Sequence, residues 1–377
     1  MGKKLLNTIY YLLMIMIISK VSYINSIKLN ERYPSTYLLS DGDVFLVTGN
    51  GFRLYDSKLQ NMKNYFNFPT NQQKITSSNE AELTSISQFS DGIIIALVKN
   101  ILYVFSSSGN YILQQNLSSF LANGRYFNLI AHKYDSFFYY YIIAYFDNRK
   151  ISIKYFHFSK ENNISLNNPL SSISYSEGIE TGKQIQEYGT SCQIMIRNDN
   201  EVLTCFYEIC SPTQLTSISF LISETEITVV NMDKKFISNN HAYVIISVTS
   251  PDKKFALICC TMGFGGGYCL QYDISTNEFI SQEKKYFNYC LGFALGINVY
   301  YFKEKNEYMF ISYNNIKGFN VVLFNSNFEY NIPNSDTKNE PYYIYGRSCF
   351  HINSFNIVYS LNSNKYIIIN DCDIGGL

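Results

Sequence analysis

The text Ser40-Asp41-Gly42-Asp43-Val44-Phe45-Leu46-Val47, followed by Asn50 and Phe52-Arg53-Leu54-Tyr55, returns fifty residues later. The second copy is Ser90-Asp91-Gly92-Ile93-Ile94-Ile95-Ala96-Leu97-Val98, followed by Asn100 and Ile101-Leu102-Tyr103-Val104-Phe105. Self-similarity at a fixed period of about 20–50 residues means that one supersecondary unit is copied along the chain and buries its faces against its neighbours. Each copy reads as a strand, an Asp-Gly turn, a second strand, a tight turn at Asn and a third strand. A fourth strand is expected at residues 63–68 in one copy and 111–115 in the next. Weaker copies place second strands near 140–146, 201–207, 254–260, 307–313 and 356–361, which keeps the spacing near 50.

Composition agrees with strands throughout. The chain has 34 Tyr and 28 Phe but seven Pro, a bias toward side chains that pack well on pleated surfaces. With 46% hydrophobic and 16% charged residues it carries enough apolar surface for a large core and none of the signature of disorder. Thirty basic residues balance thirty acidic ones, so the electrostatic footprint of a nucleic-acid binder is missing and no nucleic-acid partner is expected. The polar stretches 70–81 and 167–184 read as loops between units.

A lone four-stranded unit cannot bury both faces, so the units are expected to stack around an axis. In this the repeat resembles the β-propeller class, with Ser40-Asp41-Gly42 and Ser90-Asp91-Gly92 as its clearest marks. The resemblance implies an all-β fold of seven blades, each of four antiparallel strands, with six and eight blades as alternatives. No subfamily is identified, because the chain has no Trp and therefore lacks the Trp-Asp, Tyr-Trp-Thr-Asp and Asp-box signatures. The last unit offers three clear strands, and residues 23–29 are expected to supply a strand that closes the ring.

Residues 1–26 read as a signal peptide: Lys3 and Lys4 precede an apolar stretch over residues 9–18, with Ser22 and Ser26 as cleavage points. An uncleaved anchor is the competing reading, given Lys20 and Tyr23. Residues 27–377 are then expected to form a single propeller domain, secreted or held at the cell surface. No later run approaches the roughly 20 apolar residues of a membrane helix.

All nine cysteines lie between Cys192 and Cys372. A hairpin turn at Asn198-Asp199 sets Cys192 opposite Cys205, and a turn centred on Phe264 and Gly265 sets Cys260 opposite Cys269. Both pairs are candidate disulfides in an oxidising compartment. Zinc is not expected, because no Cys-x2-Cys pair exists and the four His are scattered. Asn116 and Asn163 stand in Asn-x-Ser triplets and are candidate N-glycosylation sites.

No catalytic motif emerges. The run Gly263-Phe264-Gly265-Gly266-Gly267 is flanked by strands and lacks the helix that a phosphate loop needs. Gly-x-Ser-x-Gly is absent. Asp41 and Asp91 are explained by their turns. No cofactor is expected. The reading is an interaction module for an extracellular protein or glycan, with ligand contacts on the face built by second-to-third-strand turns and inter-blade loops. The candidate contacts are Asn50, Lys99, Asp147, Arg149, Lys150, Phe264 and Tyr268. The alternatives are a glycan-processing hydrolase with paired carboxylates at the axis and the structural head of a longer surface protein.

Overall fold

The computed structural model describes residues 35–373, apart from 58–60, 77–83, 122–123, 148–149, 162–167, 177–189, 210–212, 239–241, 263–265, 281–283, 288–296, 303–305, 315–317, 326–327, 329–341, 345–350 and 361–364. Seven antiparallel sheets follow one another, over residues 35–67, 84–116, 125–175, 191–238, 242–287, 297–344 and 351–373, hereafter blades 1 to 7. Blades 1 to 4 and 6 have four strands in sequence order. In blade 5 the outermost position is shared by Glu278–Phe279 and Lys284–Phe287, both paired with Gly266–Asp273. Blade 7 has two strands among the described residues, His351–Ser360 and Lys365–Asp373. The first strand of each blade lies beside the first strand of the next, and His351–Ser360 lies beside those of both blade 6 and blade 1, so the ring closes.

Two expectations about strands change. Residues 356–360 belong to the innermost strand of blade 7, not to a second strand. The stretch 167–184 holds Ser171–Tyr175, which pairs with Ile151–Tyr155 as the outer strand of blade 3. Its Ser-rich text misled because an outermost strand meets solvent and needs few apolar residues. The strand expected at 23–29 lies outside the described residues, as does the segment read as a signal peptide.

Stacking explains the text of the middle strands. Ile94–Val98 is buried at every position rather than at every second one. Ile94, Ala96 and Val98 pack with Phe45, Val47 and Phe52 of blade 1, whereas Ile95 and Leu97 pack with Phe127, Leu129 and Tyr141 of blade 3. A strand covered on both faces gains burial twice, at about 1.5–3 kcal/mol for each large apolar side chain. The Asp-Gly turns are built from local bonds: the Asp41 and Asp91 carboxylates accept the N–H groups of Asp43 and Ile93 at 3.0 and 3.3 Å. The following Gly92 holds φ at +96°, a region that glycine adopts without a Cβ clash.

Asn198-Asp199, both at positive φ, closes the expected hairpin and sets Cys192 opposite Cys205, joined by a disulfide with Cα atoms 4.1 Å apart. The second expected pair is corrected: Cys269 is opposite Cys259 and bonds it, while Cys260 is opposite Tyr268. Three residues, 263–265, separate the paired Met262 and Gly266, so the hairpin is one residue longer than a two-residue turn. A shift of one residue sends a side chain to the other sheet face. Accordingly Cys260 is a buried thiol packed with Met195 and Phe206 of blade 4, and the Cys259–Cys269 bond faces Tyr308 and Phe310 of blade 6.

Candidate functional site

The seven inner strands surround the axis, and their sequences contain no Asp or Glu. Carboxylates for an axial hydrolase therefore have no source on these strands. What the strands do carry is Ser, Asn and Gln, whose side chains join one blade to the next. Ser85 and Ser87 of blade 2 accept the N–H groups of Leu129 and Ala131 at 3.0 and 2.9 Å. Asn128 of blade 3 accepts from the Cys192 N–H and donates to the Thr190 carbonyl. Ser191 of blade 4 accepts the Ser247 N–H of blade 5 at 2.9 Å, and Gln193 donates to the Ser247 carbonyl. Buried backbone groups that have no sheet partner at this edge are satisfied in this way.

The face expected to hold ligand contacts carries them on separate blades. Asn50 is exposed at the blade 1 turn. Lys99 is half-buried, and its ammonium donates to the Gln72 and Lys74 carbonyls of the connection from blade 1. Asp147 and Lys150 are directly opposed and close the blade 3 hairpin. Arg149, Phe264 and Asn163 lie outside the described residues, and Tyr268 is placed only as the register partner of Cys260. Asn116 is exposed at the end of a strand, and its side-chain oxygen accepts the Ser118 N–H at 2.9 Å in the turn that enters the short helix Ser118–Leu121.

A denser constellation occupies the opposite face, where blades 3 and 4 meet. It starts from the turn between Arg125–Tyr134 and Phe138–Asp147. One Asp135 oxygen accepts the N–H groups of Phe137 and Phe138 at 2.7 and 2.8 Å, and the other accepts the Tyr140 hydroxyl at 3.0 Å. Bonds from the Phe138 and Phe137 N–H groups hold this exposed carboxyl below its ordinary range. The Phe137 carbonyl accepts the Lys160 N–H, so the tip is tied on two sides. Phe137 itself is 69% exposed.

Rings extend inward from this tip. Phe138 stacks on His157 at 4.6 Å, Tyr140 stacks on Tyr155 at 5.8 Å, and Tyr155 meets His132 edge-on. On the blade 2 side, the Lys160 ammonium lies 4.4 Å from the Tyr134 ring centroid and 4.9 Å from that of Tyr139. Lys133 lies over Tyr140 and pairs with Glu224 of blade 4 at 3.7 Å. His132 reaches Glu201 of blade 4 at 3.0 Å, and Glu201 also receives Lys253 of blade 5 at 2.9 Å. Burial lowers the pKa of His132 and of His157, outweighing the nearby carboxylates. Burial and the bond to Asp135 push Tyr140 up to about 12. Glu201 is pushed up by burial but held low overall by Lys253 and His132.

Sequence reasoning missed this cluster because its members come from 132–160, 201, 224 and 253 and meet only when blades stack. The available signal was local: Asp135-Ser136, a turn pair, followed directly by the run Phe137-Phe138-Tyr139-Tyr140-Tyr141. A run of aromatics beginning at a turn leaves its first ring at the tip.

No family model and no curated protein matches this chain. Among solved structures, Chaetomium thermophilum Raptor is similar with 12% identity and a TM-score of 0.49, over 91% of this chain and 28% of that one. Kluyveromyces lactis Hsv2 aligns at 9% identity and a TM-score of 0.46 over 89% of this chain and 98% of that one. The WD40 domain of SCAP from fission yeast aligns at 9% identity and 0.42, covering 80% and 68%. These likenesses concern architecture, and the architecture is that of a β-propeller built from seven sheets.

Proposed function

We propose that the protein is a secreted or cell-surface interaction module that binds an extracellular protein or glycan through the blade 3 and 4 seam. In this reading residues 1–26 are a signal peptide, residues 27–377 a single domain, and Asn116 and Asn163 carry glycans. The observation that carries the binding role is Phe137, a large ring 69% exposed on a turn whose backbone is locked by Asp135. Exposed aromatics held rigidly contribute binding energy without a large ordering cost. The two disulfides support the compartment, since such bonds persist in oxidising surroundings. No helix among the described residues is long and apolar enough to cross a membrane.

The test is to express the full chain in a secretory host, then to read the mature N-terminus and the mass before and after glycosidase treatment. The purified product is next screened against extracellular domains and oligosaccharides, alongside Phe137→Ala and Lys150→Ala. Saturable binding that is lost in Phe137→Ala and kept in Lys150→Ala supports the seam. Retention of the chain inside the cell, or binding indifferent to Phe137, refutes the corresponding part.

A further inference from the structure

We infer that the outer edge of blade 4 is a self-association surface, on which a second copy of the chain docks its own Ile227–Ser238 in antiparallel order. This strand pairs on one side with Thr213–Ile222, and its other edge has no ladder partner among the described residues. It runs for 12 residues, whereas the strands at the same position in blades 1, 2, 3, 5 and 6 run for 2 to 6. A long open edge offers a row of N–H and C=O groups to an added strand, and folds ordinarily keep such edges short. Val229 and Val230, near its middle, are 36% and 43% exposed. The outer strand of blade 1 also exposes apolar groups, Met62 and Tyr65, but its one charged residue, Lys63, is bound by Asp43 of the same blade.

The order of charges along the strand selects a second copy as the occupant. Ser219 is opposite Asn231 and Phe220 is opposite Val229, so Val230 is an extra residue that switches the strand between sheet faces. Glu226 and Thr228 before this bulge therefore share one face with Asp233 and Lys235 after it, the face on which Leu215 packs against blade 5. A two-fold axis perpendicular to the sheet runs two copies antiparallel and preserves faces, so directly opposed residues must share one. With Val230 opposite Asn231 of the second copy, Glu226 stands opposite Lys235 and Thr228 opposite Asp233. The two-fold repeats this at the other end, which gives two charge pairs and no like charges in opposition. Sliding the copy by two residues sets Glu226 against Asp233 in one direction and against Ile237 in the other, so the neighbouring registers gain repulsion or nothing. Glu226 is exposed, and among the described residues no ion pair engages it. This association is independent of any ligand at the blade 3 and 4 seam, and either can fail without the other.

Sedimentation equilibrium of the full chain tests this. One added strand makes a small interface, so a monomer–dimer equilibrium with dissociation at about 10–100 μM is expected, followed from about 1 to 500 μM. Val230→Lys, at the exposed centre, should weaken the dimer about tenfold or more. Glu226→Lys and Lys235→Glu should each weaken it about fivefold, and Glu226→Lys/Lys235→Glu together should restore it to within about twofold. Thermal unfolding shows whether each variant is folded, and Val230→Lys decides the matter if the charge variants are destabilised. A monomer at every concentration, or a dimer indifferent to Val230→Lys, overturns the inference. A folded double variant that fails to restore the dimer overturns self-pairing in this register and leaves the edge to a strand of another protein.

Discussion

His132 Nε2 lies 3.0 Å from Glu201 Oε2, linking the innermost strand of blade 3 to the second strand of blade 4. The other ring nitrogen meets the Tyr155 hydroxyl at 3.2 Å, and Lys133 and Lys253 also face the ring. Burial lowers the pKa of His132 below its ordinary 6.5 despite Glu201, and it lowers that of His157 although Glu224 and Asp135 oppose it. A histidine whose folded value lies below its unfolded value binds protons first in the unfolded chain. Its contribution is therefore full above about pH 6.5 and is lost as pH falls through the depressed value. Denaturant midpoints should drop between about pH 7.5 and pH 5, and the drop should shrink in His132→Gln/His157→Gln. An equal drop in that variant assigns the loss to other groups.

Each disulfide closes a short loop between adjacent strands, with sequence separations of 13 and 10. Replacing Cys192 and Cys205 together by Ser should cost about 2–4 kcal/mol in denaturant unfolding. A peptide map of the oxidised protein should contain a Cys259–Cys269 link, with Cys260 alkylated only after unfolding. A Cys260–Cys269 link would restore the pairing expected from a two-residue turn.

Ser191 accepts the buried Ser247 N–H and lies 2.7 Å from the Ser247 hydroxyl, across the blade 4 and 5 junction. Ser191→Ala removes the acceptor and leaves a buried donor unsatisfied, at a cost of about 1–3 kcal/mol. Ser191→Thr keeps the hydroxyl and should recover most of it. Equilibrium unfolding of the two variants compares them directly.

Tyr103 is fully buried, and its hydroxyl has no hydrogen-bond partner among the described residues. Burial accordingly raises its pKa. Tyr103→Phe keeps the ring that packs with Phe52 and removes the unsatisfied group, so stability should be equal or higher by about 1 kcal/mol. A melting temperature clearly below that of the parent would mean that the hydroxyl is satisfied.

Gly51 holds φ at +152°, and a Cβ placed there would stand 2.0 Å from the Phe66 carbonyl oxygen. Gly51→Ala must therefore push the outer strand Met62–Asn67 away from the third. The expected loss exceeds about 2 kcal/mol, measured by thermal or denaturant unfolding.

The amino-acid sequence by itself determined the units of this protein. Asp-Gly turns, two-residue turns such as Asn198-Asp199 and runs such as Ile94–Val98 are local chemistry, set by which residues accept positive φ and which pack on a pleated surface. The repeat period and the Cys192–Cys205 bond could be read for the same reason, because a symmetric hairpin fixes which residues face each other. The partner of Cys269 could not, since one extra residue in a glycine-rich turn reverses a sheet face at little local cost. Only the closed ring decided that His132 of blade 3 meets Glu201 of blade 4 and that Lys133 and Tyr140 meet Glu224. Contacts between blades join residues as far apart as Ser85 and Leu129 or Lys133 and Glu224, 44 and 91 positions, and the stacking that brings them together is driven by non-directional apolar burial, which leaves no pattern within either strand to name its partner.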